Sequence, residues 1–284
     1  MSKSTARFVW KKLSPAKWED VWQERLSWLG QRLVTILLKG MKTIRVEAYH
    51  ITREEADTLT REFGGQVRPA KELTALDLEP KPRPPLRVRG RLLVVSSEKE
   101  RALAAKSDPK TPSLFIPATV AFGTGEHATT ATCLRILADV AAQQTAPWDA
   151  LDLGTGSGIL AFAASIFGAR RVEAFDFDAT AVRVAKENLA ANALRGVTLK
   201  RGDVLKWQPK KCWPVVMANL FSPILIAASQ QITAAVAPGG ALILSGILRE
   251  QAEDVVAAFE RQHCRFERIV RKGKWVTCLA RPRS

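Results

Sequence analysis

The chain has 284 residues, 46% hydrophobic and 25% charged, which is enough for one large folded domain or two small ones. This apolar content excludes a fully disordered chain, and no run approaches the roughly 18 apolar residues that a membrane-spanning helix needs. The formal net charge is +15, with +9 in residues 1–117, and such a basic surface attracts nucleic acid or acidic partners or simply keeps a protein soluble. The basic N-terminal residues lack the apolar core of a signal peptide, so a cytoplasmic protein is expected.

The residues that most often bind metals are too scattered to indicate a metal site. No two of the four cysteines form a Cys-x-x-Cys pair, and the three histidines are far apart in the sequence. We therefore expect reduced thiols and no bound metal. The cysteines are Cys133, Cys212, Cys264 and Cys278.

Residues 1–76 are predicted to form a small α+β domain. Ser14 predicts the N-cap of a first helix, and Thr52 with Glu55 three residues later predicts a capping box that opens a second helix. Combined with the β-rich runs, these signals give the order β-α-β-β-α-β, which is the ferredoxin-like arrangement. In chain order, the predicted strands and helices are 7–10, 14–30, 33–38, 43–49, 52–63 and 66–68.

Residues 77–117 are predicted to be a linker that contains one short strand and one short helix. Four prolines fall within residues 80–85, and prolines are not tolerated inside a helix or a central strand. The strand is expected at 92–95 and the helix at 99–106.

From residue 118 to the end, short apolar strands alternate with helices. This pattern predicts an α/β domain with a Rossmann-like, seven-stranded sheet that is buried on both faces. No helix separates the last two strands, so we expect them to form an antiparallel hairpin at one edge. The predicted strands are 150–153, 171–175, 197–200, 215–218, 241–244, 266–270 and 275–280, and the predicted helices are 158–167, 179–191, 223–236 and 250–261.

A glycine-rich turn at 152–158 (DLGTGSG) follows the first strand of this domain and opens a helix. Glycines such as Gly154 and Gly156 let the backbone turn sharply and approach a ligand closely. Asp176 ends the next strand, where a carboxylate can accept hydrogen bonds from both ribose hydroxyls of a nucleoside. The two features together predict a nucleoside site, whereas the turn alone is also compatible with a plain tight turn.

Two residues near the same sheet edge are candidates for binding an adenine ring. Phe177 can lie against the ring face, or it can belong to the core. Asp203, after the third strand, can accept a hydrogen bond from the exocyclic amine, or it can stabilise a turn. Because the carboxyl ends of adjacent parallel strands border one crevice, the glycine turn, the ribose acid and the adenine acid favour S-adenosylmethionine over NAD.

Asn219, at the end of the fourth strand in the segment NLFSP, is a candidate for orienting an amine. Its side-chain oxygen and the adjacent backbone carbonyl can accept hydrogen bonds from a neutral amine and direct the nitrogen lone pair at a methyl sulfonium. The same position, at a junction between strand and helix, is equally compatible with a helix N-cap.

The chain resembles the ribosomal protein L11 methyltransferase family (PrmA), a branch of the class I S-adenosylmethionine-dependent methyltransferases. The resemblance covers about residues 118–284, and the N-terminal prediction agrees with the small substrate-recognition domain of that family. The segments that carry it are AFGTGEHATT at 121–130, DLGTGSGILAFAA at 152–164, DFD at 176–178, NL at 219–220 and SGIL at 245–248.

The resemblance implies that Thr130, Gly154, Asp176 and Asn219 contact the cofactor or the reacting centre, and that Phe122 helps to build the pocket. It also implies methylation of amino groups, on lysine side chains or the α-amine, of a large-subunit ribosomal protein. We expect Asn219 to be the catalytic, amine-orienting residue. Two alternatives stay open, namely methylation of RNA, another protein or a small molecule, and a non-catalytic ribosome- or RNA-binding module.

Overall fold

The computed structural model divides the chain into two compact units, Met1–Lys81 and Pro82–Ser284. Each unit has its own sheet and its own hydrophobic core. Within the part of the chain that the structure describes, no helix combines the length and the apolar character needed to cross a membrane. The described residues are 8–38, 42–70, 85–117 and 128–283.

The first unit is a four-stranded sheet with helices packed against it. Its elements are β1 (Phe8–Pro15), α1 (Glu19–Arg25), β2 (Leu33–Leu37), β3 (Thr43–Ile51), α2 (Arg53–Phe63) and β4 (Gln66–Pro69), with 3₁₀ turns at Ala16–Trp18 and Ser27–Arg32. The strand order is β2-β3-β1-β4, and every neighbouring pair is antiparallel. This order confirms the ferredoxin-like prediction.

The two predicted helix caps of the first unit have different outcomes. Thr52 caps α2 as predicted, since Glu55 N donates to Thr52 Oγ1 at 3.2 Å and Thr52 N donates to Glu55 Oε2 at 2.7 Å. The prediction for Ser14 is wrong, because it lies in β1 and its hydroxyl accepts a hydrogen bond from the Trp22 indole N–H at 2.7 Å. The first helix therefore begins later, at Glu19.

The second unit contains a seven-stranded, mostly parallel sheet. Its elements are β5 (Leu86–Val88), β6 (Leu92–Val95), α3 (Glu98–Ser107), β7 (Ser113–Phe115), α4 (Ala128–Ala142), β8 (Trp148–Leu153), α5 (Ile159–Ile166), β9 (Ala169–Asp176), α6 (Ala179–Ala191), β10 (Val197–Arg201), β11 (Trp213–Asn219), α7 (Ser222–Ala227), α8 (Ser229–Ala234), β12 (Val236–Leu248), α9 (Ala252–Glu260), β13 (Cys264–Lys272) and β14 (Trp275–Pro282), with a 3₁₀ turn at Arg249–Gln251. The order of the large sheet is β10-β9-β8-β11-β12-β14-β13. The antiparallel pair β13 and β14 lies at its edge, which confirms the predicted Rossmann-like α/β class.

The large sheet is covered on both faces, as β11 illustrates. Val215 and Met217 belong to a core shared with α4 and α5, while Val216 and Ala218 belong to a second core shared with α7, α8 and α9. Successive side chains of a strand point to opposite faces, so a strand covered on both sides must be apolar throughout. This arrangement leaves the carboxyl ends of the parallel strands as the place for polar residues.

Residues 82–117 belong to the second unit. The sequence prediction instead has a linker over residues 77–117. Strands β5, β6 and β7 form a three-stranded sheet in that order. Val88 and Val94 are buried in the core that also contains α4. The sequence prediction begins the second unit too late, at residue 118. The local sequence does not show that strands β5 and β6, which follow the proline run, are buried together with α4. Residues 71–84, which hold most of that run, lie outside the described residues.

Two helical regions of the second unit differ from the sequence prediction. The helix predicted over 223–236 is two helices, α7 and α8, with a break at Ala228. Helix α4 is absent from the prediction, in which the domain from residue 118 has no helix before the strand at 150–153. Almost all of its residues are buried, so it lacks the polar face by which amphipathic helices are recognised in sequence.

Substitution of Thr52 by Ala should lower the free energy of unfolding of the first unit by about 1 kcal/mol, because the backbone N–H of Glu55 loses its acceptor, the Thr52 hydroxyl. Urea unfolding followed by tryptophan fluorescence measures this change. Thr52→Ser keeps the hydroxyl and should unfold at nearly the wild-type urea concentration. Equal midpoints for Thr52→Ala and the wild type would show that the capping box contributes nothing.

Candidate functional site at the carboxyl ends of the parallel strands

The glycine-rich turn between β8 and α5 is fixed by side chains from two other elements. Gly156 N donates to Asp176 Oδ2 at 2.9 Å, which ties the turn to the end of β9. The side-chain amide of Asn188, on α6, donates to the Ser157 carbonyl at 2.9 Å. Asn188 is 3% exposed and is not among the residues that the sequence singles out. The turn is therefore a rigid part of the site.

Gly154 brings this turn against the segment that follows β11. Its φ is +71°, and a Cβ at this position would lie 2.2 Å from Leu220 Cδ2. A side chain larger than hydrogen therefore does not fit without displacing Leu220. The structure thus brings together two of the segments predicted to share a site, the glycine turn and the end of β11.

Asp176 is partly buried and keeps unused acceptor capacity. Its Oδ2 accepts from Gly156 N and its Oδ1 accepts from Asp178 N, both at 2.9 Å. An ionised carboxylate has about four acceptor positions, so about two are left for hydroxyl groups of a ligand. The carboxylate therefore fits the ribose of a nucleoside while it also organises the backbone.

The structure excludes the core alternative for Phe177 and is compatible with both alternatives for Asp203. Phe177 is 65% exposed, so it is not a core residue, and the Arg201 guanidinium lies 5.8 Å from its ring centroid. Asp203 stabilises a turn, since its Oδ1 accepts from Leu205 N at 3.0 Å. Its Oδ2 lies 3.9 Å from Lys206 Nζ, which leaves acceptor capacity on that oxygen.

Two predicted site residues carry buried oxygens that accept no hydrogen bond from any described residue, namely Asn219 Oδ1 and Thr130 Oγ1. The N-cap of α7 is Phe221, and no side chain bonds to that cap, so Asn219 is not a helix cap. A buried polar atom without a partner costs free energy, which favours a ligand-binding role for both. Phe122 lies outside the described residues.

Strand β12 supports the Asn219 segment from the neighbouring position in the sheet. Leu220 N donates to the Ser245 carbonyl at 3.0 Å, and the Ser245 and Thr277 hydroxyls are hydrogen-bonded at 2.7 Å. Gly246 has a φ of +80°, and a Cβ there would lie 2.4 Å from the Leu220 carbonyl oxygen. The SGIL segment is therefore a packing partner that sets the path of the chain after Asn219.

Asp152 lies beneath the glycine turn and is 1% exposed. Burial raises the pKa of its carboxyl to about 7, against the opposing effect of hydrogen bonds that Thr155 Oγ1 and Ala161 N donate to Oδ2 at 2.6 and 3.2 Å. The nearby Asp176 adds a smaller upward effect on this pKa. Asp152 thus holds the turn in place from within the core.

Sequence reasoning misses three polar residues that structure the site: Asp152, Asn188 and Ser222. All three are at most 3% exposed, Asp152 and Ser222 have mostly apolar neighbours in the sequence, and the Ser222 hydroxyl, like Asn219 Oδ1, has no partner among the described residues. A polar residue within an otherwise apolar strand or helix is the signal that could have revealed Asp152 and Ser222. The described residues contain no group of three or more His, Cys, Asp or Glu side chains arranged to hold a metal ion.

The sheet order and the glycine turn before the first crossover helix of the large sheet define a Rossmann-like α/β protein. A family model described as "Ribosomal protein L11 methyltransferase (PrmA)" matches residues 40–283. The chain therefore belongs to the ribosomal protein L11 methyltransferase family.

Individual relatives agree with this assignment. A ribosomal protein L11 methyltransferase of Syntrophotalea carbinolica is 33% identical over 260 residues, which cover 90% of this chain and 74% of the relative. Those of Geobacter metallireducens and Heliobacterium modesticaldum are 43% and 37% identical over 56% and 57% of this chain, and the chain spans about half of their length (51% and 50%). A crystal structure of a ribosomal protein L11 methylase from Lactobacillus delbrueckii subsp. bulgaricus shares the fold, with a TM-score of 0.59, 24% identity and coverage of 71% of this chain and 98% of that one.

The raised pKa of Asp152 predicts a specific dependence of stability on pH. The folded state holds a proton on this group below about pH 7, while the unfolded chain, with a value of 3.8, has already lost it. The native state therefore binds more protons, and its stability should fall by roughly 1 kcal/mol from pH 6 to pH 8 through this group. Urea unfolding at both pH values measures the change. The variant Asp152→Asn should lack this component, and an equal pH dependence in both proteins would contradict the prediction.

Substitution of Gly246 by Ala should destabilise the second unit more than substitution of Gly239. Both glycines have positive φ values, +80° and +68°, but a Cβ at Gly239 meets no atom within 4 Å. Gly239→Ala should therefore cost about 1–2 kcal/mol from backbone strain alone. Gly246→Ala adds the clash with Leu220, which we expect to at least double that cost. Thermal unfolding of the two variants tests this, and equal losses would show that the close approach to Leu220 is not tight.

Proposed function

We propose that this protein is an S-adenosylmethionine-dependent methyltransferase that methylates amino groups of ribosomal protein L11. The observation that carries the proposal is the buried, unpartnered Oδ1 of Asn219, which lies at the end of the strand beside the one that leads into the glycine turn. It is supported by membership of the family and by the acceptor capacity left on Asp176.

The residues at the carboxyl edge fit a nucleoside cofactor of this kind. Asp176 would accept hydrogen bonds from the ribose hydroxyls, and the turn at Gly154 and Gly156 would allow close approach of the backbone. The exposed Phe177 ring would lie against the adenine face, and Asp203 would accept from its amine through the oxygen that the turn does not use. The chemistry supplied by the cofactor when bound is an electrophilic methyl group on a sulfonium.

Two further residues belong to this proposal. Thr130, in the first turn of α4, is completely buried and its hydroxyl has no partner among the described residues, so we assign it to the cofactor side of the site. Phe122 is assigned to the pocket wall on the family resemblance alone. No metal takes part in the proposed reaction.

The role of Asn219 follows from the protonation state that the reaction requires. An amine attacks only when it is neutral, whereas a free lysine side chain has a pKa of about 10.4. Desolvation in the site and a nearby positive charge both favour the neutral form. Asn219 Oδ1 would then accept an amine N–H and hold the lone pair in line, while the proton is lost to water before the attack. No general base is required.

The acceptor is tested with ribosomes purified from a strain that lacks this protein. Incubation with radiolabelled S-adenosylmethionine should place the label in L11 after the ribosomal proteins and RNA are separated. Label in RNA would instead make the chain an RNA methyltransferase, for which its basic N-terminal region would be the recognition surface. Absence of label in any ribosomal component, with cofactor binding intact, would overturn the proposed acceptor.

Variants of Asp176 and Asn219 should separate binding from catalysis. Asp176→Ala should weaken cofactor binding, measured by calorimetry, by at least about 100-fold, because both ribose hydrogen bonds and the support of the turn are lost. Asn219→Ala should keep the affinity for the cofactor within a few-fold and lower kcat by about 100-fold, as loss of one orienting polar group does.

Asp178→Ala is the matched control for the Asp176 variant. It removes the neighbouring carboxylate, which caps α6 through Thr180 N, and should reduce stability by about 1 kcal/mol while cofactor affinity is retained. Normal turnover by Asn219→Ala would refute the amine-orienting role. Unchanged cofactor affinity in Asp176→Ala would refute the ribose assignment.

A further inference from the structure

A groove of about 420 Å³ lies between α7 and the start of α9, including the residue just before that helix. This volume is within the range of about 300–1,000 Å³ in which small ligands and side chains bind. One wall is mostly apolar and the other carries an amide and a carboxylate. The lining residues are Ser222, Pro223, Ile226 and Ala227 on one side, and Gln251 and Asp254 on the other.

The groove adjoins the proposed reacting centre along the chain. Ser222, in its lining, comes three residues after Asn219, and β12 ends just before the opposite wall. Strands β11 and β12 are parallel neighbours, so both walls begin at the carboxyl edge of the sheet. An acceptor protein that reaches Asn219 therefore meets this groove.

The Ser222 hydroxyl is the first sign of a ligand in this groove. The residue is 1% exposed, and its Oγ accepts and donates no hydrogen bond to any described residue. A buried hydroxyl without a partner costs about 1–3 kcal/mol. Ser222 lines the groove, and its buried hydroxyl, which lacks a partner among the described residues, is suited to a polar group of a bound molecule.

Asp254 gives the groove its charge. Its carboxylate is exposed and forms no ion pair with any described residue, although the chain has a net charge of +15. Glu250 and Glu253 lie in the same short stretch, where Arg249 is the single basic residue. With one basic and three acidic residues, the stretch 249–254 has a formal charge of −2 within a basic protein, which favours a cationic group.

The lining chemistry matches a long cationic side chain. Pro223, Ile226 and Ala227 offer apolar contact to a methylene stem, while Asp254 and the Gln251 amide oxygen offer acceptors to its charged end. A carboxylate favours the protonated form of an amine, and a protonated amine does not attack a methyl group. The groove therefore fits a second cationic side chain of the acceptor, distinct from the amine that reacts.

We propose that the groove between α7 and α9 binds a non-reacting lysine of the acceptor protein, with its ammonium group against Asp254, and thereby positions the reacting amine near Asn219. This inference rests on the proposed function for the identity of the acceptor. It assigns to Asp254 and Ser222 a role in acceptor recognition and none in cofactor binding.

The test measures direct binding of fluorescently labelled L11 to the full chain, together with methyl transfer to the same protein. Asp254→Asn keeps the shape of the side chain and removes its charge. It should weaken L11 binding and raise the KM for L11 by about three- to fivefold, as expected for an exposed ion pair with good geometry. The kcat and the affinity for S-adenosylmethionine should stay within about twofold of the wild type, because Asp254 does not touch the reacting atoms.

Glu253→Gln is the matched control. It removes the same charge from the same turn of α9, but Glu253 does not line the groove. Its effect on L11 binding should be below about twofold, as for a general surface charge. Equal effects of the two variants would contradict lysine binding in the groove. Both carboxylates would then contribute to L11 binding only as general surface charges.

Lysine-to-glutamine variants of L11 identify the bound side chain. One of them should weaken binding to the wild-type enzyme and have no further effect on the Asp254→Asn enzyme, as two partners of one contact do in a double-mutant cycle. If every lysine variant of L11 behaves alike with both enzymes, the proposal is wrong.

Ser222→Ala distinguishes a binding role from a structural one. Removal of an unpartnered buried hydroxyl should leave the thermal stability equal or slightly higher, while L11 binding weakens by about two- to fivefold. A loss of stability with unchanged binding would contradict the assignment of Ser222.

The outcomes for the groove and for the proposed function are separable. L11 that binds in an Asp254-dependent manner but is not methylated would refute the function and support the groove. Methylation of L11 by the Asp254→Asn variant with an unchanged KM would refute lysine binding in the groove and support the proposed function. Failure of L11 to bind the wild-type protein at all would refute both.

Discussion

The Asp176 carboxylate is the constraint on which the rest of the site depends. Its two oxygens accept hydrogen bonds from Gly156 N and Asp178 N, so one side chain fixes both the glycine turn and the start of α6. Only the acceptor positions left over can serve a ligand. The same carboxylate therefore organises the backbone and offers acceptors to a ligand. Its two backbone hydrogen bonds fix its orientation before a ligand binds.

A second constraint is steric and acts on Leu220. Its side chain lies against Gly154, and its backbone lies against Gly246. Two turns that are far apart in the sequence, after β8 and within β12, thus hold the same residue from two directions. The SGIL segment and the glycine turn therefore have a common role. Gly246 in the first and Gly154 in the second lack a side chain that would clash with Leu220, the residue after Asn219. The position of Asn219 is a product of this packing, not of local sequence.

The sequence correctly predicts features that depend on neighbouring residues in the chain. Its predictions are wrong or missing where contacts between distant segments determine the structure. The capping box of Thr52 and the alternation of strands and helices require no distant partner, and both are found. Ser14 has the signature of a cap, but pairing of β1 with β3 outweighs it. In the site, the glycine turn and Asp176 are evident from their spacing. Ser222 is not, because no sequence pattern reports that this residue is buried and that its hydroxyl lacks a partner among the described residues.

Several buried polar groups of the second unit lower its stability, because they form no hydrogen bond with any described residue. The oxygens of Thr130, Asn219 and Ser222 have no partner among the described residues, and each could be replaced by an apolar group at little structural cost. Asp152 differs in that its Oδ2 accepts two hydrogen bonds and organises the turn, although its Oδ1 also has no partner among the described residues. A chain selected for stability alone would not retain the three unpartnered oxygens. Their retention in an otherwise apolar core agrees with the proposal that they bind a nucleoside cofactor on one side of Asn219 and an acceptor protein on the other.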